Sequence, residues 1–179
     1  LLQLARERGV PIEMEMSLFF RACPAPIVGV TGTKGKTTVS TLAGALLREA
    51  LPATRVGGNM GVTALGQLED LSPEAPIVLE LSSWQLEALI EHKLAPRVAV
   101  LTLIADYAAT KRGITQHQRP EDYLVVNRDD PESWRAASET AASVAPFGLV
   151  DCGDDGAWRA GDTLVWRWRG SEFRWPAPQ

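Results

Sequence analysis

A short apolar strand that runs into a glycine-rich turn and then a helix is the feature that most constrains how this chain can fold. Residues 26–32, PIVGVTG, form an apolar run rich in β-branched side chains, which is typical of a buried strand. Residues 36–50, KTTVSTLAGALLREA, place apolar side chains at helical spacing, and Pro52 ends the helix. The apolar face predicted for this helix consists of Val39, Leu42, Ala43, Leu46 and Leu47. A buried strand followed at once by an amphipathic helix indicates an α/β fold.

The same alternation of strand and helix continues through most of the remaining chain. Pro131 suits the first turn of a helix, whereas Gly113 weakens the helix that contains it. The later strands are predicted at residues 75–83, 97–104, 122–127 and 144–150, and the later helices at 84–93, 105–118 and 131–143. These strands are continuous apolar runs, which are typical of strands covered on both faces. We therefore expect a mostly parallel sheet with helices on both faces.

Residues 151–179 have a different pattern, in which turn signals separate short strands. Within TLVWRWRG, one set of alternate residues is apolar and the other contains a valine and two arginines. The apolar set is Leu164, Trp166 and Trp168, and the other set is Val165, Arg167 and Arg169. This alternation predicts a small antiparallel β meander with one tryptophan face. Interleaved tryptophan and arginine could also stack on nucleic acid, but a half-buried hairpin with arginine stems packed outside is the simpler interpretation.

The bulk composition excludes some classes of function. A net charge of −4 on 179 residues provides no general attraction to nucleic acid or to an anionic membrane surface. The apolar runs are too short to span a bilayer. The two cysteines, Cys23 and Cys152, form neither a metal-binding pattern nor a disulfide framework, which suits a reducing compartment. We therefore expect a cytoplasmic protein without nucleic-acid or membrane partners.

Residues 29–38, GVTGTKGKTT, contain most of a phosphate-binding loop, with one glycine displaced. The usual pattern is G-x-x-x-x-G-K-[ST], and counting back from Gly35 places its first glycine at position 30, which is Val30. A shorter loop still supplies what phosphate binding needs, namely backbone N–H groups at a helix start, a lysine, and a hydroxyl for Mg²⁺. Its residues are Gly32, Thr33, Lys34, Gly35, Lys36, Thr37 and Thr38. The strand–loop–helix context favours nucleotide binding over an ordinary glycine-rich turn.

Glu80 is a carboxylate near the end of the apolar strand at 75–83. A buried, unpaired carboxylate is costly, so Glu80 requires a cation partner or an exposed position at the carboxyl edge of the sheet. Ligands of open α/β sheets bind at that edge, and phosphate-loop enzymes hold Mg²⁺ with an acidic residue of a neighbouring strand. We expect Glu80 to serve the metal ion, and an ion pair with a basic side chain is the alternative.

Four short motifs together resemble the central ATPase domain of the Mur ligase family. They are GTKGKTT at 32–38, GGNMG at 57–61, ELSSWQLE at 80–87 and VVNRDDP at 125–131. The shortened phosphate loop is the form that this family uses. The loop is common to all Mur ligases and to folylpolyglutamate synthase, whereas ELSSWQLE resembles the branch of the family that adds D-glutamate. The motifs anchor the resemblance over residues 27–131.

The resemblance implies a domain organisation. Residues 1–26 would be a lead-in from a UDP-binding domain that this chain lacks. Residues 27–179 would be the ATP-binding central domain, with the β meander at 151–179. A C-terminal domain that completes the ATP and D-glutamate sites would also be absent. We therefore expect a monomer, and a nucleotide-binding module that is inactive when isolated.

The resemblance also implies an activity. The family branch is an ATP-dependent ligase that joins D-glutamate to UDP-N-acetylmuramoyl-L-alanine through an acyl phosphate, in the peptidoglycan synthesis that supports cell shape and division. Lys36 would bridge the β- and γ-phosphates of ATP, and Thr37 and Glu80 would bind the first Mg²⁺. Asn59 and Ser82 would face the muramoyl substrate, although Asn59 is equally suited to a turn. Another phosphate-loop enzyme, such as folylpolyglutamate synthase or a kinase, is the alternative.

Lys111, in YAATKRG, aligns with a lysine that the family carbamylates to hold a second Mg²⁺. The resemblance breaks just before it, because the family's Asn and its D/E-H-x-D segment are missing and VLTLI runs directly into ADYAATK. About a dozen residues are absent relative to the family pattern. Either the connection is truly shorter, or a flexible loop between Leu103 and Ala105 has dropped out of the sequence. The lack of room for a crossover turn favours the second interpretation.

Overall fold

The computed structural model describes residues 1–61, 63–153 and 155–178. Within these residues, nine strands form one sheet in the order β2-β3-β1-β4-β5-β6-β7-β8-β9. The strands are β1 Ile27–Thr31, β2 Arg55–Gly58, β3 Ile77–Glu80, β4 Val98–Leu101, β5 Tyr123–Asn127, β6 Ser143–Gly148, β7 Gly156–Ala160, β8 Thr163–Trp168 and β9 Ser171–Pro176. Strands β1 to β6 pair in parallel, β7 joins β6 in parallel, and β8 and β9 are antiparallel to their neighbours. The prediction of a mostly parallel sheet followed by an antiparallel meander is confirmed.

Helices cover both faces of the sheet. They are α1 Leu2–Glu7, α2 Glu15–Ala22, α3 Lys36–Ala50, α4 Ser83–Glu91, α5 Ala108–Arg112, α6 Pro131–Trp134 and α7 Ala136–Glu139, with 3₁₀ turns at Leu65–Asp70 and Gly113–Thr115. On one face, Phe19 of α2 and Leu86 of α4 pack with Leu79 of β3 in the larger core. On the other face, α3 packs on a smaller core formed by Val30, Val78 and Val100. No helix in the described ranges is both long and apolar enough to cross a membrane.

The buried face of α3 differs from the predicted one. Val39, Ala43 and Leu47 pack on the sheet, but Leu42 and Leu46 are 58% and 64% exposed. The side of the helix that lies closest to the sheet carries small residues instead. Ser40 and Gly44 are fully or nearly fully buried, and a Cβ on Gly44 would lie 2.2 Å from Val56 Cγ2. This close approach turns the helix so that Leu42 and Leu46 point away from the sheet.

Strand β2 was not predicted, because RVGG is four residues long and half glycine. The glycines let this edge strand approach β3 closely. Gly58 has a φ of 92°, and a Cβ there would lie 2.3 Å from the Glu80 carbonyl oxygen. Helix α2 was also not predicted, and it buries Met16 and Phe19 in the larger core. Helix α1 buries no residue. The domain boundary at residue 26 stays a prediction.

Two predicted helices are shorter than expected. The helix predicted at 105–118 consists of α5 and the 3₁₀ turn at Gly113–Thr115. Gly113 lets this segment pack on α4, since a Cβ there would lie 2.3 Å from Ile90 Cδ1. The helix predicted at 131–143 is divided into α6 and α7, with Pro131 in the first turn as expected. Residue 143 already belongs to β6.

The meander has its aromatic face on the outside. Trp166 stacks on Phe173 with ring centroids 5.3 Å apart, and Phe173 stacks on Trp175 at 6.0 Å. All three side chains are exposed. The buried side contains Trp158 and Val165, which face each other across β7 and β8. The expectation that the arginine stems pack outside is wrong for Arg167, whose guanidinium lies 4.8 Å from the centre of the Trp158 ring.

Candidate functional site

The start of α3 forms a cradle for an anion. Gly35 precedes the helix with a φ of 87°, and α3 begins at Lys36. The first-turn N–H groups of a helix have no intrahelical acceptor, and no side chain caps them here. A 15-residue helix also directs the positive end of its dipole at this point. Because the helix follows directly from β1 through a four-residue loop, these donors lie at the carboxyl edge of the sheet.

The loop before α3 is held in place by the segment that follows β4. The Thr33 N–H donates to the Leu103 carbonyl at 2.6 Å. Thr102 Oγ1 lies 2.7 Å from the Lys34 carbonyl and 3.2 Å from the Thr31 carbonyl. Gly32 allows this contact, since a Cβ there would lie 2.0 Å from Thr102 Oγ1. The loop conformation therefore depends on residues about 70 positions away in the sequence.

Thr37 and Glu80 lie together beside the cradle. The hydroxyl of Thr37 donates to Glu80 Oε2 at 2.6 Å. Glu80 is the last residue of β3, pairs in register with Val30 of β1, and is 4% exposed. A hydroxyl and a carboxylate are oxygen ligands of the kind that Mg²⁺ prefers, and Mg²⁺ usually completes its shell with phosphate oxygens and water. The two residues therefore fit a Mg²⁺ ion that arrives with a nucleotide. No cluster of three or more metal-binding side chains (His, Cys, Asp or Glu) occurs among the described residues.

A cleft of about 230 Å³ opens above the loop. Its lining is Gly32, Thr33, Lys36, Asn59, Leu81, Ser82, Ser83, Asp106, Tyr107 and Lys111. Six of these are residues predicted for the site, drawn from four separate segments of the chain. Thr37 and Thr38 line an adjoining groove along α3. The Lys36 ammonium folds over the loop and donates to the Gly32 carbonyl at 3.1 Å.

Asn59 and Ser82 occupy the rim of the cleft, and each also has a structural role. The Asn59 N–H donates to the Glu80 carbonyl at 2.9 Å, while its side chain is exposed. Ser82 is the N-cap of α4 and forms a capping box with Gln85. The Ser82 hydroxyl accepts from the Gln85 N–H at 3.4 Å and lies 3.1 Å from Gln85 Oε1. Their contact with a substrate stays a prediction.

Lys111 is buried at the base of the cleft, 6% exposed. Its ammonium donates to Thr33 Oγ1 at 2.9 Å, to the Asp106 carbonyl at 2.9 Å and to Asp106 Oδ1 at 2.7 Å. The hydrogen bond from Lys111, with a second one from Thr33, lowers the pKa of the Asp106 carboxyl. Sequence reasoning missed Asp106 and Tyr107. The available signal was their position directly after the third strand at a sheet edge expected to bind ligand.

Comparison with known proteins agrees with this arrangement. The family model described as "Mur ligase middle domain" matches residues 30–163. The chain belongs to the Mur ligase family. Chains of this family include MurF from Acinetobacter baumannii, whose crystal structure matches with a TM-score of 0.61 at 18% identity, over 91% of this chain and 41% of that one. At this identity the likeness concerns the fold.

Curated Mur ligases are similar in sequence as well. The UDP-N-acetylmuramoylalanine--D-glutamate ligase of Roseiflexus sp. (strain RS-1) is 44% identical over 185 residues, which cover 93% of this chain and 40% of the relative. The enzyme of the same name from Symbiobacterium thermophilum is 39% identical over 184 residues, covering 96% of this chain and 40% of the relative. The chain thus spans about 40% of the length of these relatives.

The segment between β4 and Lys111 is where this Mur ligase chain departs from the family pattern. Residues 102–107 connect β4 to α5 through an isolated bridge between Leu103 and Lys34 and a bend at 105–107. The Ile104 N–H donates to Asp130 Oδ2 at 3.0 Å, and the Ala105 N–H donates to Thr33 Oγ1 at 2.9 Å. Six residues complete the crossover here, so the expected lack of room for a crossover turn is wrong. The two explanations of the shorter segment, a truly shorter connection and a loop that has dropped out of the sequence, stay predictions. The 185-residue match to the Roseiflexus relative exceeds the 179 residues of this chain, so positions of that relative have no counterpart here.

Proposed function

We propose that this chain is the nucleotide-binding part of an ATP-dependent ligase that joins D-glutamate to UDP-N-acetylmuramoyl-L-alanine. The relatives of 39% and 44% identity carry the name of that ligase. The motif ELSSWQLE at 80–87 supports the D-glutamate branch, and it contributes both Glu80 and the N-cap Ser82 to the site. Since ATP and the UDP-linked acceptor are cytoplasmic metabolites, we place the reaction in the cytoplasm.

In the proposed reaction, the terminal phosphoryl group of ATP is transferred to the alanyl carboxylate, and ADP leaves. The amine of D-glutamate then attacks the acyl carbon, the C–N bond forms, and phosphate departs with the electron pair of the C–O bond. This chain would stabilise the negative charge of the transferred group, because fixed donors at the transferred phosphoryl group are the main catalytic device of such reactions. The donors are the first-turn N–H groups of α3 and the Lys36 ammonium.

Thr37 and Glu80 would hold Mg²⁺, which supplies charge neutralisation between the β- and γ-phosphates when it is bound. Without the ion, the Thr37 hydroxyl and the Glu80 carboxylate satisfy each other through their 2.6 Å hydrogen bond. Asn59 and Ser82, on the opposite rim of the cleft from Lys111's segment, would orient the muramoyl substrate toward the phosphates. Gly58 supports this rim by letting β2 lie close to Glu80.

The observation that carries the proposal is the Thr37–Glu80 pair at the foot of an open helix N-terminus. We expect Mg²⁺ to strengthen ATP binding by this chain about tenfold, because Thr37 and Glu80 would hold the ion and its charge would offset that of the phosphates. Glu80→Gln should lose most of that strengthening. Glu74→Gln, an exposed change before the opposite end of the same strand, is the matched control and should behave like the original chain. The measurement is calorimetric titration with ATP, with and without Mg²⁺. An unchanged Mg²⁺ effect in Glu80→Gln would remove Glu80 from the metal site.

The amino-acid substrate requires a turnover assay. Because the chain spans about 40% of its named relatives, ATP binding is measured on this chain and turnover on a protein of the relatives' full length. ADP release that depends on UDP-N-acetylmuramoyl-L-alanine and D-glutamate, and not on folate with L-glutamate, supports the proposal. Release with folate would favour the folylpolyglutamate synthase alternative, and ATP binding without any release would favour a silent nucleotide-binding module.

A further inference from the structure

The contacts of Lys111 leave its nitrogen no free N–H group. A lysine ammonium has three donors, and the three acceptors at 2.7–2.9 Å are Thr33 Oγ1, Asp106 Oδ1 and the Asp106 carbonyl. The Tyr107 ring centre also lies 6.0 Å from Nζ, a distance at which an aromatic face attracts a cation. The surroundings of Nζ are thus built for a positive charge.

A carbamate at the same position would conflict with these surroundings. Carbamylation joins the neutral amine to CO₂ and releases a proton, so the nitrogen keeps one N–H group and gains a carboxylate. Two of the three hydrogen bonds would be lost, and the new negative charge would lie beside the Asp106 carboxylate, where like charges repel. The connection at 102–107 contains no histidine or asparagine that could share a second metal ion. The residues present therefore do not fit the family's second Mg²⁺.

Thr33 is the point where Lys111 and Asp106 act on the phosphate loop. Its hydroxyl donates to Asp106 Oδ1 at 2.7 Å and accepts from Lys111 Nζ. It also accepts from the backbone N–H groups of Ala105 and Asp106, at 2.9 and 3.3 Å. Every hydrogen-bonding position of this hydroxyl is used, and its partners all lie on the shortened connection or on α5. Thr33 is thereby fixed next to the N-terminus of α3 at Gly35 and Lys36.

We propose that Lys111, through the hydrogen bonds of its ammonium and together with Asp106, holds Thr33 and the phosphate loop in the nucleotide-binding conformation, and that this lysine is not carbamylated. Asp106 is then a positioning residue for the nucleotide site. This inference rests on the proposed nucleotide site, but its two halves are tested by separate measurements.

The first measurement is carbon-13 NMR of the chain equilibrated with labelled bicarbonate. A carbamate at a lysine or at the amino terminus gives a separate signal from bicarbonate. Arginine cannot form the carbamate. We therefore expect the original chain and Lys111→Arg to give the same carbamate signals. A signal present in the original chain and absent in Lys111→Arg would overturn the proposal, whether or not the chain binds ATP.

The second measurement is ATP binding by a set of variants. We expect Lys111→Met and Asp106→Asn each to weaken binding about tenfold, in line with the loss of one charged hydrogen bond. The double variant should be no weaker than the poorer single one, because both residues act through Thr33. Lys111→Arg keeps the cation but replaces a compact ammonium by a larger planar guanidinium, so it should weaken binding less than Lys111→Met does. Lys93→Met and Asp162→Asn are matched controls outside the cleft lining.

The outcomes separate this proposal from the preceding one. Unchanged ATP binding in both Lys111→Met and Asp106→Asn would overturn the proposed role of Lys111 and Asp106 in holding the phosphate loop, and so would an Arg variant as weak as the Met variant. Circular dichroism melts check that each variant is folded, and Lys111→Arg keeps the test valid if Lys111→Met is not. If the original chain binds no ATP, the proposed function fails, while the NMR experiment still decides the state of Lys111.

Discussion

Replacing Gly32 by alanine tests whether the phosphate loop depends on the segment after β4. Gly32 has a φ of 148°, and a Cβ there would lie 2.0 Å from Thr102 Oγ1 and 3.1 Å from the Leu103 carbonyl oxygen. The Thr102 hydroxyl would have to move, which breaks its 2.7 Å hydrogen bond to the Lys34 carbonyl. The substitution therefore combines backbone strain with the loss of a contact that holds the loop.

The expected loss of stability follows from these two contributions. An L-residue forced into such a backbone region costs about 1–3 kcal/mol, and a lost buried hydrogen bond costs about 1 kcal/mol. We therefore expect Gly32→Ala to lower the free energy of unfolding by about 3 kcal/mol, on the basis of the same two values. For a chain of this size that is a fall in Tm of roughly 6–12 °C. ATP binding should weaken at least about tenfold, because the loop amides lose their alignment.

Thermal and urea unfolding followed by tryptophan fluorescence measure the loss. Gly161→Ala is the matched control, since Gly161 has a φ of 62° and nothing within 4 Å of its Cβ position. It should cost only the backbone strain, about 1–2 kcal/mol. Adding Thr102→Ala to Gly32→Ala should cost less than the sum of the single changes, because it removes the clashing oxygen. A Gly32→Ala loss no greater than that of Gly161→Ala would refute the steric argument.

Three further predictions use other parts of the molecule. In a protein of the relatives' full length, Lys36→Ala should abolish turnover and leave the Tm within about 2 °C, since the side chain is partly exposed and is the proposed phosphate ligand; near-normal turnover would remove it from the site. Leu79→Ala should lower the free energy of unfolding in urea by about 2–5 kcal/mol, because Leu79 is fully buried. Leu42→Ala should lower it by less than about 0.5 kcal/mol, because Leu42 points away from the sheet; a loss equal to that of Leu79→Ala would contradict this orientation of α3. Burial raises the pKa of Asp130, but hydrogen bonds from Ser133 and the Ile104 N–H outweigh it and lower the pKa below 3.8. Because the pKa of Asp130 is depressed in the folded state, the ionised carboxylate stabilises the fold above pH 3.8, and this stabilisation is lost as the pH falls through the folded-state pKa. Asp130→Asn should therefore reduce the fall of Tm at acid pH in a series of melts. An unchanged fall of Tm would contradict this role of Asp130.

Local sequence signals predicted the elements that carry the candidate site. The strand before Gly32 and the helix beginning at Lys36 were found where apolar periodicity, glycine and turn residues indicated them. The strand that contains Glu80 was predicted at 75–83 and is shorter, at Ile77–Glu80. Each signal lies within a short window, and the chemistry of a phosphate loop needs only adjacent residues. The relation of Glu80 to the loop also followed, because carboxyl ends of parallel strands share one edge of a sheet.

The same kind of signal failed where packing decided the outcome. Strand β2 has only four residues, two of them glycine, and exists because its backbone can approach Glu80 closely. Leu42 and Leu46 have helical spacing with the buried residues, but the close contact at Gly44 rotates them outward. The aromatic face of the meander is exposed for a similar reason, since Trp158 already fills the inner side.

By itself, the sequence determined the α/β class, the meander, the phosphate loop and the family, because these depend on periodicity and on motifs of a few consecutive residues. Tertiary structure alone decided which face of α3 is buried, how six residues complete the crossover after β4, and why Lys111 meets Asp106 and Thr33. The contact between Lys111 and Thr33 joins residues 78 positions apart. Such a contact is set by the packing of α5 against α4 and α6, a balance of many weak interactions that no short window of sequence contains.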